Sequence, residues 1–119
     1  MITQYEANTL LRQELPQLYG KIYPSRVSLQ VYATFNYFSD YTIHAVQEHN
    51  FNVAKKCFIL AERLFRHGDN LVRMLIENVF VYGFSSMLPT DKAERKIIRS
   101  IIPDDLYALY IKQVTHVGS

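Results

Sequence analysis

The sequence has few residues that break helices or cross-link a fold. Its 119 residues include four glycines, four prolines and one cysteine, and tryptophan is absent. Because Cys57 has no second cysteine to pair with, an internal disulfide is excluded and the fold must depend on its apolar core. The few glycines form no phosphate-binding pattern, which excludes a Walker loop and a dinucleotide-binding loop.

Neither sign of charge dominates, and no long apolar run is present. The 13 Lys and Arg residues and 11 Asp and Glu residues give a net charge of +2, too small to require a nucleic acid or membrane surface as partner. The longest nearly apolar stretch, residues 79–88, is much shorter than the roughly 20 residues that span a bilayer. Residues 1–5 lack the pattern of a secretory signal, so we expect a cytoplasmic protein without a membrane partner.

Apolar residues make up 49% of the chain and recur at spacings of three and four. This spacing is typical of amphipathic helices, and the length fits one domain. We therefore predict an all-α fold: a single compact, bundle-like domain, residues 1–119, with five or six helices. Residues 1–24 form an N-terminal helix and connector, and residues 25–119 form the core helices.

Prolines and capping residues place the helix boundaries. Helix two should begin at Ser25 or Ser28, and Gly68 should end helix three in a left-handed conformation. Thr90 or Asp91 should cap helix five, and Asp91 with Glu94 matches a capping box. The predicted helices cover about 3–14, 25–49, 50–67, 70–88, 91–102 and 103–114 or beyond.

The fourth helix, about 70–88, is apolar on nearly every side, which predicts a central helix surrounded by the others. Arg73 and Glu77 lie four residues apart on it. We expect them to form an ion pair, with Asn78 bonded to the backbone of a neighbouring helix. The alternative is a polar pocket there that receives the charged group of a small molecule.

Two resemblances accompany this pattern. Residues 50–61 (NFNVAKKCFILA) resemble the second helix of a tetratricopeptide repeat, which implies one repeat-like helical hairpin. Residues 61–89 (AERLFRHGDNLVRMLIENVFVYGFSSMLP) and 101–119 (IIPDDLYALYIKQVTHVGS) resemble an uncharacterised family of short bacterial helical proteins, a domain of unknown function. That resemblance implies a bacterial source and the fold, and it assigns no activity to any residue.

A stripe on helix two is one candidate contact surface. Tyr37, Tyr41, His44 and Glu48 follow at spacings of four, three and four. Exposed tyrosines offer a large contact area and a hydroxyl, so we predict a protein-binding surface at Tyr37, Tyr41 and His44. Alternatively, helix one or the connector covers this stripe within the molecule.

Helix three carries a second candidate. Ile59 lies among basic residues on the polar side of this helix, and Arg63 and Arg66 follow it. An apolar anchor with two arginines predicts docking of an acidic protein surface, and a homodimer is also possible at either candidate surface. The alternative is an ordinary solvated face.

Helix five provides the alternative function. Lys92, Arg95, Lys96 and Arg99 share one face, which together with Lys55 and Lys56 on helix three predicts a basic patch if the two faces are adjacent. A nucleic-acid-binding regulator is therefore the second hypothesis, although the small net charge does not favour it.

No residue pattern predicts catalysis. Cys57 lies at the edge of an apolar arc, where a thiol is normally a packing residue, and His44 and His49 are five apart and cannot ligate one metal together. We expect no enzyme activity, no catalytic residue, no cofactor and no metal. The sequence therefore favours a non-catalytic protein-binding module, of the kind that serves as a bacterial immunity or adaptor protein.

Overall fold

A computed structural model describes residues 1–16, 28–85 and 91–117. Over these ranges it contains six helices and no β-strand, which confirms the predicted all-α single domain. The helices are α1 (Gln4–Glu14), α2 (Ser28–Gln47), α3 (Phe51–His67), α4 (residues 70–85), α5 (Lys92–Ile101) and α6 (Asp104–Val117). The predicted connector and the predicted caps Ser25 and Thr90 lie outside the described residues. Within the described ranges, every helix is too short or too polar to span a bilayer.

Side-chain caps fix most helix starts where the sequence predicts them. Thr3 and Glu6 form a capping box at α1, Asn50 accepts from the Val53 amide, and Asp69 accepts from the Val72 amide at 3.0 Å. The capping box predicted at α5 is wrong. Asp91 accepts from the amide two residues on, at 3.4 Å, and the Glu94 side chain bonds His49 instead of the Asp91 amide.

The corner between α2 and α3 is closed by a Schellman motif. The Asn50 amide donates to the Ala45 carbonyl at 2.8 Å, and the His49 amide donates to the Val46 carbonyl at 3.1 Å. His49 therefore adopts the left-handed conformation, φ 59°, that glycine usually provides. Its imidazole hydrogen-bonds Glu94 on α5 and meets the ring of Phe51 edge-on. One residue thus ends α2 and ties the corner to α5.

The corner between α3 and α4 depends on close approach and not on the left-handed backbone that we predicted. Gly68 has extended angles, φ −75° and ψ 158°. A Cβ atom there would lie 2.3 Å from the Leu64 carbonyl oxygen and 2.5 Å from Val72 Cγ1. The backbone of Ile2 brackets this glycine, because its amide donates to His67 at 2.7 Å and its carbonyl accepts from Asp69 at 2.9 Å. Glycine is required because nothing larger fits.

α4 is the central helix, as predicted, and it changes pitch midway. It is α-helical over Asn70–Leu75, π-helical over Ile76–Val81 and α-helical again over Tyr82–Ser85. It packs against α1, α2, α3 and α6. The neighbouring helices do not surround it completely, because one stripe faces solvent. The exposed residues of this stripe are Asn70, Arg73, Met74, Asn78 and Tyr82.

Aromatic side chains connect α4 to its neighbours. Phe80, in the π-helical turn, lies 4.6 Å from Phe38 of α2 and 6.2 Å from Phe58 of α3, measured between ring centroids. Phe58 meets Phe84 edge-on at 5.1 Å, and Phe84 contacts Tyr110 of α6 at 6.4 Å. Edge-on and offset rings stabilise a core beyond their buried area. The aromatic core therefore joins α2, α3, α4 and α6 in one cluster.

The left-handed position of His49 predicts a stabilising substitution. In a Glu94→Ala background, we expect His49→Gly to raise the free energy of unfolding by about 1 kcal/mol, because glycine adopts this conformation without steric cost. In the wild-type background the gain should be smaller, since the imidazole bond to Glu94 is lost as well. Urea unfolding of the four proteins of this cycle measures the difference. Equal effects in both backgrounds would contradict the proposed role of the imidazole.

The crowding at Gly68 predicts a loss of stability. We expect Gly68→Ala to lower the free energy of unfolding by ~1–3 kcal/mol, because the new methyl group meets a backbone oxygen that cannot rotate away. Gly83→Ala is the matched control, since its methyl group would meet only the rotatable hydroxyl of Ser39. Chemical denaturation should show a clearly smaller effect for the control; equal losses would argue against the close approach as the cause.

Candidate interaction surfaces

The Ile59 surface lies on the outer side of α3, and we define it as Lys55, Lys56, Ile59 and Arg63 together with Glu14 of α1. These residues line a shallow groove of about 330 Å³. The Ile59 side chain is 51% exposed. Lys56 Nζ lies 3.9 Å from Glu14 Oε2. Lys55 and Arg63 add two further positive charges to the groove. The structure thus brings together Ile59 and Arg63 as the sequence predicts.

A second groove of about 410 Å³ continues this surface onto α1. Arg63 lines both grooves, and Tyr5, which is 56% exposed, lines the second. Sequence reasoning did not assign a role to Tyr5. The available signal was its spacing of four from Thr9, which puts both residues on the side of α1 opposite to the buried Ala7 and Leu11.

Arg66 does not share this groove. Its Nε atom lies 3.5 Å from Asp105 Oδ2, at the N-terminal end of α6. Both side chains remain more than half exposed, so this ion pair contributes little stability. The structure thus places Arg66 outside the groove of Ile59 and Arg63, and its contact with an acidic partner stays a prediction.

The tyrosine stripe of α2 is only partly exposed. Tyr37 is 37% exposed and His44 is also open to solvent, with its Nε2 atom 3.7 Å from Glu48. Tyr41 packs against the core, and partial burial raises the pKa of its phenol. Tyr41, His44 and Glu48 line a groove of about 420 Å³ that reaches α3. The alternative was that helix one or the connector covers this stripe. α1 does not bury Tyr37 or His44, and the connector lies outside the described residues.

The α5–α6 groove is the third surface, with a volume of about 420 Å³. Its lining residues are Arg95, Lys96, Ile98, Arg99, Ile102, Tyr107, Tyr110 and Ile111. The Arg99 guanidinium lies 3.8 Å above the centre of the Tyr107 ring, and burial raises the pKa of the Tyr110 phenol. Sequence reasoning found the basic residues of α5 but missed the α6 wall. The sequence does contain a signal for this wall, because Tyr110 and Ile111 follow Tyr107 by three and four residues and so share one helix face.

The basic residues of α3 and α5 do not form one patch in the grooves. The groove at Lys55 and Lys56 and the groove at Arg95, Lys96 and Arg99 share no lining residue. α3 and α5 do pack against each other, and the joint basic patch stays a prediction.

The predicted Arg73–Glu77 ion pair is replaced by other contacts. The Arg73 guanidinium lies 5.0 Å from the centre of the Phe65 ring. Glu77 instead lies 3.5 Å from Lys112 Nζ, and its backbone carbonyl accepts a hydrogen bond of 2.6 Å from Gln113 Nε2. Asn78 is exposed, contrary to its predicted role. α6 thus fixes the π-helical turn, and neither Arg73 nor Glu77 lines any of the grooves described above.

A family model described as "Domain of unknown function (DUF7674)" matches residues 8–116. The chain belongs to this family. The match covers most of the chain and confirms the resemblance to an uncharacterised family, whereas the bacterial source and the tetratricopeptide-like hairpin stay predictions. No curated protein matches the chain. No solved structure matches it either.

Cys57 is buried within the core of this DUF7674 domain. Burial raises the pKa of its thiol to about 11, although the Thr42 hydroxyl and Lys56 act in the opposite direction. Such a thiol is protonated at neutral pH and is a poor nucleophile. Among the described residues, no group of three or more His, Cys, Asp or Glu side chains is arranged to hold a metal ion.

The raised pKa of Cys57 predicts a loss of stability at alkaline pH. The folded thiol keeps its proton up to about pH 11, while the unfolded thiol ionises near 9.0. Between these values the unfolded state binds fewer protons, so stability falls with rising pH by at most ~1.4 kcal/mol per pH unit. Urea unfolding from about pH 8 to pH 11 should show a steeper fall in stability for wild type than for Cys57→Ala, because only the wild type carries the buried thiol. Parallel curves would contradict the assignment, since the tyrosines titrate in both proteins.

Proposed function

We propose that this chain is a non-catalytic protein-binding module of the bacterial cytoplasm. The observation that supports this proposal is the Ile59 surface. A branched apolar side chain stands half-exposed on α3, beside Lys55, Lys56 and Arg63, and an exposed tyrosine follows on α1. An apolar anchor within a polar rim is the usual arrangement of a protein-binding hot spot.

The charges at this surface favour a partner with acidic groups. Lys55 and Arg63 have no ion pair with a carboxylate among the described residues, and Lys56 has a long one with Glu14. An acidic partner would satisfy these cations while Ile59 enters an apolar depression on that partner. An immunity or adaptor protein is the biological role that fits such a module best.

A nucleic-acid-binding regulator is the second candidate, and the exposed cations Lys92, Arg95 and Lys96 support it. Two features weigh against it. Arg99, the fourth residue of this row, lies over Tyr107 and 3.9 Å from Asp104. The floor of the adjoining groove is apolar, which serves a peptide better than a phosphate backbone.

Site-specific photo-crosslinking tests the first proposal. The photoreactive residue p-benzoylphenylalanine replaces Ile59 in one protein and Ile97 in the matched control; Ile97 is 41% exposed on α5. In cells of the source organism, we expect one adduct from position 59 that position 97 does not give. Mass spectrometry identifies the partner, and its affinity for the purified chain is then measured.

Charge variants make the result decisive. Arg63→Glu with Lys55→Glu should weaken the identified complex by at least about tenfold, equal to ~1.4 kcal/mol, whereas Arg63→Lys should retain most of the affinity. The proposal is wrong if position 59 gives no specific adduct, if the adduct joins two copies of this chain, or if charge reversal leaves the affinity unchanged.

A further inference from the structure

We propose that the α5–α6 groove is a second docking site, and that its occupant is an acidic amphipathic segment of a partner protein. The site is separate from the Ile59 surface and does not depend on it. It combines an apolar floor, a cationic edge and a half-exposed apolar rim. Each of these features selects one property of the occupant.

The floor of the groove selects apolar side chains. Ile98 and Ile102, both nearly fully buried, form its base, and the half-buried rings of Tyr107 and Tyr110 form one wall. Ile111 stands at the rim, 39% exposed. A volume of about 420 Å³ accommodates a few anchoring side chains and not a whole domain. One turn or two of an amphipathic helix provides such anchors.

The edge of the groove selects negative charge. Three of its eight lining residues are cationic (Arg95, Lys96 and Arg99), and none is a carboxylate. Nearby acidic groups are directed elsewhere within the described part of the chain. Glu94 bonds His49, Asp105 faces Arg66, and Asp104 touches the edge only through a 3.9 Å approach to Arg99. The groove is thus complementary to glutamates or aspartates that flank apolar anchors.

The geometry of Arg99 favours a carboxylate over a nucleobase. Its guanidinium covers the Tyr107 face at 3.8 Å, so that face is not open for base stacking. Its Nη2 atom approaches Asp104 at 3.9 Å, beyond hydrogen-bond distance, so the guanidinium N–H groups can still donate to a carboxylate of the partner. The Tyr107 ring therefore packs against an arginine and is not available for base stacking.

A designed peptide tests the proposal with the full chain. The probe is a fluorescein-labelled amphipathic helix with leucines along one face and glutamates beside them. Fluorescence anisotropy measures its binding, and amide chemical shifts locate it. We expect binding with shifts confined to α5 and α6. A peptide with the leucines replaced by serine, and one with the glutamates replaced by lysine, should each bind at least about tenfold more weakly.

Variants on the two surfaces distinguish this proposal from the previous one. Lys96→Glu and Ile111→Ser change exposed residues of the groove, and each should weaken peptide binding by about tenfold. Lys55→Glu and Ile59→Ser are the matched controls on the Ile59 surface and should change it by less than about twofold. Circular dichroism before binding verifies that every variant is folded.

Several outcomes would overturn the inference. Absence of peptide binding would do so, as would equal binding of the serine peptide, which would indicate attraction by charge alone. Shifts centred on α3, with loss of binding in Lys55→Glu, would place the acidic partner on the Ile59 surface only. Single-stranded DNA that displaces the peptide from α5–α6, with affinity falling steeply as salt rises, would replace the proposal with nucleic-acid binding.

Discussion

The contact of Phe80 with Phe38 and Phe58 is the interaction on which the rest of the structure depends. Phe80 lies in the π-helical turn of α4, and its ring is nearly fully buried between α2 and α3. A π turn inserts extra residues into the helix and rotates everything beyond it. That rotation points Phe84 to Phe58 and to Tyr110 of α6. The bond from Gln113 to the Glu77 carbonyl fixes the same turn from the α6 side.

Because the aromatic core occupies the centre, the grooves of the described residues lie at the outer seams between helices. The Ile59 surface follows the seam of α1 and α3, and the second docking groove follows the seam of α5 and α6. The first has one exposed isoleucine with two unbridged cations, and the second has an apolar floor with three cations. Both arrangements suit partners with acidic groups, and the two seams share no lining residue.

Much of the fold was predictable because it is encoded locally. Thr3, Asn50 and Asp69 cap helices through bonds to amides three residues away, and such bonds need no tertiary context. The corner at Gly68 was predicted at the right position but for the wrong reason. Glycine is needed there because a side chain would clash with Val72, and because the backbone of Ile2 hydrogen-bonds the residues on both sides. Of the candidate site, Ile59 and Arg63 were found, since residues four apart share a helix face. Tyr5 was missed because its groove is completed by Arg63 from another helix.

By itself, the sequence determined the all-α class, the places where helices begin and end, and the apolar sides of α2 and α3, since each follows from spacing and capping within one segment. Only the tertiary structure decided the partners of the charged side chains. The Glu94 side chain bonds His49 and not the start of its own helix, Glu77 pairs with Lys112 and not with Arg73, and Arg66 lies beside Asp105 of its own chain. A long charged side chain reaches several acceptors, and which one is nearest depends on how whole helices pack. The same packing created the α5–α6 groove, because its cations and its tyrosines come from two helices that local spacing cannot place side by side.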